Sequence, residues 1–164
     1  MNFGKNAKKD AVSDHTKQVL QDALKKSDNS STTISSTART PADQARIMYN
    51  NLKTAGVAEQ KRLYGKFGDQ VIDVYESSTI AGKTKDQILQ DMVSKINNIG
   101  PTNVSKHLSD PNVLQVIDVA PSSITNKTAF VEALTALKAE GRVSNFFTPL
   151  DGDPAYHIEI PQPK

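Results

Sequence analysis

The pattern of apolar and polar residues changes about two thirds of the way along the chain. Before that point, apolar residues recur at every third or fourth position, which is typical of amphipathic helices. After it, short β-prone segments alternate with turn residues, and one further helical stretch follows Asn126. We predict helices over approximately residues 10–27, 41–54, 57–78 (as one or two helices), 85–99 and 127–140.

Two of these helices begin with N-capping sequences. Thr40 precedes Pro41 at the first helical position, and Asp43 follows in the first turn, where a carboxylate interacts favourably with the helix dipole. Thr84 is followed three positions later by Gln87, which is the pattern of a capping box. These short sequences predict the starting points of both helices.

The β-prone segments complete the predicted secondary structure. They lie at residues 33–37, 102–105, 114–120, 143–148 and 155–160. Helices early in the chain and strands late in it favour an α+β fold, with a small antiparallel sheet flanked by helices. Residues 1–10 are polar and rich in Lys, so we expect a flexible tail and then a single domain over residues 11–164.

Composition excludes several classes of protein. The 164-residue chain has 20 Lys and Arg against 18 Asp and Glu, a net charge of +2, and no Cys. This charge does not favour a nucleic-acid partner, and the lack of Cys excludes disulfides and thiolate metal ligands. There is no apolar run long enough for a transmembrane helix and no signal peptide, so we expect a protein made in the cytoplasm without membrane insertion. A monomer is the default expectation.

The strongest candidate chemistry involves one Asp and two His residues. Asp118 stands inside an otherwise apolar strand, where a carboxylate is costly unless it is paired, hydrogen-bonded or bound to metal. His157 lies within the last predicted strand, and His107 follows another. Such a set can supply three zinc ligands and leave a fourth position for water. The alternatives are an Asp118 at the rim of the sheet that caps a turn or pairs with Lys or Arg, and a partly buried His157 that only packs against its neighbours.

Acidic residues close to His157 provide candidates for a general base. Asp151 and Asp153 precede it, and Glu159 lies two positions beyond it on the same face of the strand. From that position Glu159 would orient a metal ligand rather than a water molecule. The third histidine, His15, lies in the first predicted helix, where we expect it to be solvated.

Three ordered sequence features resemble the zinc peptidases that cleave bacterial peptidoglycan stem peptides. The first is a Ser-rich strand that runs into Arg-Thr and a helix with Gln five residues after the Arg (SSTARTPADQ, residues 35–44). The second begins as Ser-Lys-His and ends as Ile-Asp-Val within residues 105–119, and the third is DPAYHIE, residues 153–159. The family comprises D-alanyl-D-alanine carboxypeptidases and the L-alanyl-D-glutamate endopeptidases of phage endolysins, which share a hedgehog-like α+β fold.

The resemblance assigns a role to each matched residue. It implies zinc bound by His107, Asp118 and His157, with Asp153 as the general base. It also implies a substrate-positioning Arg39, whose planar guanidinium suits a carboxylate or carbonyl. The remaining matched residues, Gln44 and Ser105, would hydrogen-bond the peptide.

The chain also departs from the family pattern. His107 and Asp118 are eleven positions apart, where the family has seven, and we interpret the difference as a loop insertion of four residues. This insertion leaves Asp110 as a less favoured alternative ligand. Asp153 stands four residues before His157 rather than three, so Asp151 and Glu159 remain alternative bases.

The sequence therefore predicts a zinc metallopeptidase that hydrolyses a peptide bond in the murein stem peptide. Because that substrate lies outside the cytoplasm, we expect a phage endolysin or a lytic effector that a secretion machine delivers to the wall. The alternative is a catalytically inactive domain of the same fold that binds the cell wall or another protein. Ligand identity does not determine which stem-peptide bond is cut.

Overall fold

The computed structural model describes all residues from Met1 to Lys164. Seven α-helices and five strands make up the fold, and single-turn 3-10 helices connect several of them. The helices are α1 (Asp14–Lys26), α2 (Pro41–Ala55), α3 (Val57–Leu63), α4 (Lys66–Ile80), α5 (Lys85–Ile99), α6 (Pro101–Val104) and α7 (Lys127–Ala139). The strands are β1 (Asn2–Asn6), β2 (Thr33–Ser36), β3 (Leu114–Val119), β4 (Asn145–Phe147) and β5 (Tyr156–Pro161). The predicted α+β class, with a small sheet flanked by helices, is confirmed.

The five strands form one sheet in the order β1-β2-β3-β5-β4. All neighbouring pairs are antiparallel except β1 and β2, which are parallel. Strands β3 and β5 share the longest regular register, and the pairing places Asp118 directly opposite His157. The sheet is therefore mixed, whereas the sequence predicted an antiparallel sheet. The difference arises because β1, the parallel strand, was not predicted.

The chain divides into two compact units. The first comprises Met1–Ala38 and Ser109–Lys164 and contains the whole sheet with α1 and α7. Its core lies on one face of the sheet, where strand residues such as Ile117 and Ile158 pack with helix residues such as Leu20 and Phe130. Alternation in β5 buries Tyr156, Ile158 and Ile160 and leaves the intervening residues only half-buried.

The second unit, Arg39–Leu108, is entirely helical. Its core joins apolar residues of α2, α4, α5 and α6, among them Met48, Ile72 and Met92. Both predicted N-caps, Thr40 and Thr84, are present, and the capping box predicted at Thr84 is confirmed. Thr40 also forms a capping box, because its hydroxyl accepts the Asp43 N–H and the Asp43 side chain bonds back to the Thr40 N–H. The predicted region 57–78 forms two helices, and the prediction of one domain over residues 11–164 stays a prediction.

The structure corrects two sequence predictions in these units. Residues 2–6 form the strand β1, where we predicted part of a flexible tail. The Asn2 N–H donates to the Thr32 carbonyl at 2.8 Å, and β1 pairs with β2. Local sequence does not reveal this pairing, because it joins residues about 30 positions apart. Residues 102–105 do not form a strand, because Pro101 begins the short helix α6, for which its fixed φ is already suited. No helix is both long enough and apolar enough to cross a membrane.

Candidate metal centre

The face of the sheet opposite the core carries a histidine–carboxylate pair. Asp118 of β3 and His157 of β5 are cross-strand partners, so their side chains emerge on the same face. The Asp118 Oδ1 and His157 Nδ1 atoms are 3.2 Å apart, and both side chains are largely buried, at 17% and 13% exposure. A carboxylate in this strand is therefore paired, as its burial requires.

A second carboxylate reaches the other nitrogen of the same imidazole. The Glu159 Oε1 atom lies 3.4 Å from His157 Nε2, and the Glu159 side chain is only 12% exposed. With a carboxylate at each ring nitrogen, the orientation of His157 is restrained from both sides. Glu159 thus contacts the imidazole directly, and its role as the group that orients a metal ligand stays a prediction.

The pKa of His157 reflects these neighbours. Burial disfavours the charged imidazolium and by itself lowers the pKa. The hydrogen bond to Asp118 and the negative charges of Asp118, Asp153 and Glu159 act in the opposite direction and raise the pKa above its ordinary value of 6.5. The contribution of Asp153 shows that this carboxylate also lies within electrostatic range of the imidazole.

His107 lies in a single 3-10 turn, Lys106–Leu108. The prediction that it follows a strand is wrong, because the preceding residues form the helix α6. Its side chain is buried, and its backbone is held at two points. The His107 N–H donates to the Ser105 hydroxyl at 3.3 Å, and the His107 carbonyl accepts the Arg39 N–H at 2.8 Å. Ser105 and Arg39 therefore hold the backbone from which this histidine projects.

His107, Asp118 and His157 form a group that could hold a metal ion. Their potential ligand atoms all lie within 4.8 Å of one another, and each side chain is buried or half-buried. The donors are two imidazoles and one carboxylate, a set that suits zinc. The 3.2 Å between Asp118 and His157 matches the separation of about 3.3 Å expected for two adjacent ligands of tetrahedral zinc at about 2.0 Å each.

The alternative ligand Asp110 is not in this group. Its side chain is exposed and accepts the N–H of Asn112 at 2.9 Å, which closes a turn within the segment between His107 and Asp118. Turns of this type occupy an Asp carboxylate locally. Asp110 therefore belongs to a surface turn.

The two acids before β5 have different contacts. The Asp151 carboxylate accepts both the backbone N–H and the hydroxyl of Thr148, at 2.8 and 3.0 Å, and closes a capping box. The Asp153 carboxylate accepts the Ala155 N–H at 2.9 Å, which fixes it at the start of β5, and its side chain is half-buried. Asp151 thus has a structural role, whereas Asp153 lies close enough to influence His157.

The candidate substrate-binding residues form a short chain of hydrogen bonds. Arg39 Nη1 donates to Gln44 Oε1 at 3.0 Å, and Gln44 Nε2 donates to the Tyr64 hydroxyl at 3.0 Å. Gln44 is fully buried, so both ends of its amide are occupied inside the protein. Gln44 therefore positions Arg39, and Tyr64 is a supporting residue that sequence reasoning missed because its partner lies 20 residues away.

Phe147 is a second residue that sequence reasoning missed. It faces His157 across the β4–β5 pair, with ring centroids 5.8 Å apart. Only the pairing of those strands reveals the contact. The third histidine, His15, lies on α1 outside the metal-ligand group, and it is half-buried rather than fully solvated as the sequence predicted.

Comparisons with known proteins do not assign the chain to a family. No protein-family model, no curated protein and no solved structure matches it. The geometry of the candidate metal centre is therefore the basis on which a function can be argued.

Proposed function

We propose that this protein is a zinc-dependent peptidase that hydrolyses a peptide bond in the stem peptide of bacterial peptidoglycan. The observation that carries the proposal is the grouping of His107, Asp118 and His157, with all ligand atoms within 4.8 Å of one another. Residues far apart in sequence converge with the donor chemistry of a catalytic zinc site. The resemblance of three ordered motifs to peptidoglycan peptidases supports the choice of substrate.

In this proposal the three ligands would hold zinc, and the surrounding side chains would perform separate tasks. Zinc bound there would supply Lewis-acid chemistry, which polarises a peptide carbonyl and acidifies water. Glu159, 3.4 Å from His157 Nε2, would keep that imidazole in the orientation and tautomer in which Nδ1 faces Asp118. Asp153 would accept a proton from the attacking water and pass it to the amine that leaves.

Arg39 would position the substrate through a carboxylate or carbonyl group. Its guanidinium is oriented by the buried Gln44, and its backbone is bonded to the His107 carbonyl. A side chain with this support loses little conformational freedom when it binds a ligand. Ser105 would act indirectly, since its hydroxyl accepts the His107 N–H.

Elemental analysis of purified protein tests the metal centre. We expect about one zinc per chain in the wild type, and its loss in His107→Ala and in His157→Ala. His15→Ala provides the matched control, because it removes a histidine outside the group and should keep the zinc. Absence of zinc from the wild type, even after incubation with the metal, would contradict the proposal.

Hydrolysis of purified muropeptides tests the reaction. We expect Asp153→Asn to keep its zinc but to lose roughly 100-fold or more in rate, which is the usual contribution of a general base. Asp151→Asn removes the same charge two residues away and should retain activity. A wild type that binds zinc but cleaves no muropeptide would instead favour an inactive domain that binds the cell wall or another protein.

The site of action follows from the substrate. A peptidase of this kind would act on the bacterial cell wall, after release from an infected cell as an endolysin or after delivery as a lytic effector. Application of the purified protein to isolated wall sacculi, followed by chromatography of the released fragments, would identify the bond that is cut.

A further inference from the structure

An exposed aromatic side chain flanks the candidate metal centre. Phe147 lies on β4, which is the edge strand beside β5, and it is the direct cross-strand partner of His157. The two rings have centroids 5.8 Å apart and planes inclined at 47°. Phe147 is 43% exposed, whereas the neighbouring Phe146 packs against the core.

Strand alternation explains why this ring is outside the core. Because Phe146 takes the core-facing position, Phe147 must emerge on the opposite face, which also carries Asp118 and Glu159. A polar or charged residue would suit an exposed edge strand better, since an apolar edge promotes unwanted association. The rigid, apolar ring of Phe147 nevertheless lies on this edge strand, in contact with His157 on one side and with solvent on the other.

We propose that Phe147 is a substrate-contacting residue that packs against an aliphatic side chain of the peptide next to the cleaved bond. This inference rests on the proposed peptidase function and extends it to substrate selectivity. A peptide whose carbonyl lies at the metal centre must pass beside His157, and Phe147 covers one side of that histidine. The methyl groups of alanine residues in the stem peptide would bury the exposed part of the ring, which is favourable for both partners.

Fluorescence gives a direct test, because the chain contains no Trp. Phe147→Trp would be the only tryptophan and would report on contacts at this position. The probe is a synthetic stem pentapeptide that ends in D-Ala-D-Ala, titrated into zinc-loaded protein that also carries Asp153→Asn to prevent turnover. Leu150→Trp in the same background is the matched control, because Leu150 is 94% exposed and is not a cross-strand partner of His157.

Steady-state kinetics gives a second test that separates contact from structural support. We expect Phe147→Ala to raise KM for muropeptide roughly tenfold, the effect of losing a small apolar contact, with kcat and zinc content unchanged. Phe147→Leu keeps apolar bulk and should recover part of the loss. Thermal denaturation of each variant confirms that the fold is retained.

The outcomes distinguish this inference from the proposed function. A saturable emission change at Phe147→Trp, without one at Leu150→Trp, supports the contact. If the wild type hydrolyses muropeptide but Phe147→Trp does not respond, or both probes respond equally, the contact is refuted and the peptidase function stands. A drop in zinc content or in kcat with an unchanged KM would show that Phe147 only supports His157. Absence of both hydrolysis and peptide binding in zinc-loaded wild type would refute both proposals.

Discussion

Replacing Glu159 tests whether the second carboxylate on His157 supports metal binding. Glu159 Oε1 lies 3.4 Å from His157 Nε2 and 12% of its side chain is exposed, so the contact is poorly screened by solvent. With Asp118 at Nδ1, the Nε2 atom is left to interact with Glu159. Removing Glu159 should therefore weaken zinc binding without removing a ligand.

The magnitude follows from the length and charge of this contact. Losing the carboxylate partner of a metal-binding imidazole typically weakens metal affinity by about 10–100-fold. The 3.4 Å separation is longer than the usual 2.7–3.2 Å, so the lower end of that range applies. We expect Glu159→Ala to bind zinc about tenfold more weakly, and Glu159→Gln, which keeps an acceptor but not the charge, to lose less.

Competition with a chromophoric zinc chelator at constant pH measures this affinity. Glu132→Gln, on the exposed surface of α7, is the control for a change in net charge and should bind zinc like the wild type. Wild-type affinity in Glu159→Ala would refute the argument that Glu159 positions His157. Complete loss of zinc would equally refute it, because it would make Glu159 a ligand itself.

Four further predictions concern pH, zinc affinity and stability. Because the pKa of His157 is raised above 6.5, its contribution to the stability of the metal-free protein should be fully present below pH 6.5 and lost as the pH rises through the folded-state pKa. Urea denaturation in the presence of a chelator, at pH values below and above 6.5, measures this change in the free energy of unfolding. Zinc affinity should instead fall as the pH drops, because the proton competes with the metal for the imidazole. Gly68→Ala should lower the free energy of unfolding by about 1–3 kcal/mol, because a Cβ at position 68 would lie 2.5 Å from the Tyr64 ring. Gly65→Ala is the control in chemical denaturation, because a Cβ at position 65 would have no atom within 4 Å. Thr84→Ala should cost about 1 kcal/mol by removing a helix cap, and thermal unfolding that matches the wild type would contradict this.

The sequence alone determined the features that depend on neighbouring residues. The Thr40 and Thr84 N-caps could be predicted because an N-cap bonds to a backbone group only three positions away. Alternation along the last strand likewise predicted that Glu159 shares a face with His157, since successive residues of a strand face opposite sides. These short-range rules also singled out Asp118 and His157, whereas His107 was placed after a predicted strand that the structure replaces with the helix α6.

Only the tertiary structure decided how those residues meet. The pairing of β1 with β2, the register that sets Phe147 against His157, and the link from Tyr64 through Gln44 to Arg39 all join residues distant in sequence. His107 shows the same limit, because a 3-10 turn rather than a strand presents it. Such contacts depend on strand order and on the packing of the whole chain, which local propensity does not encode.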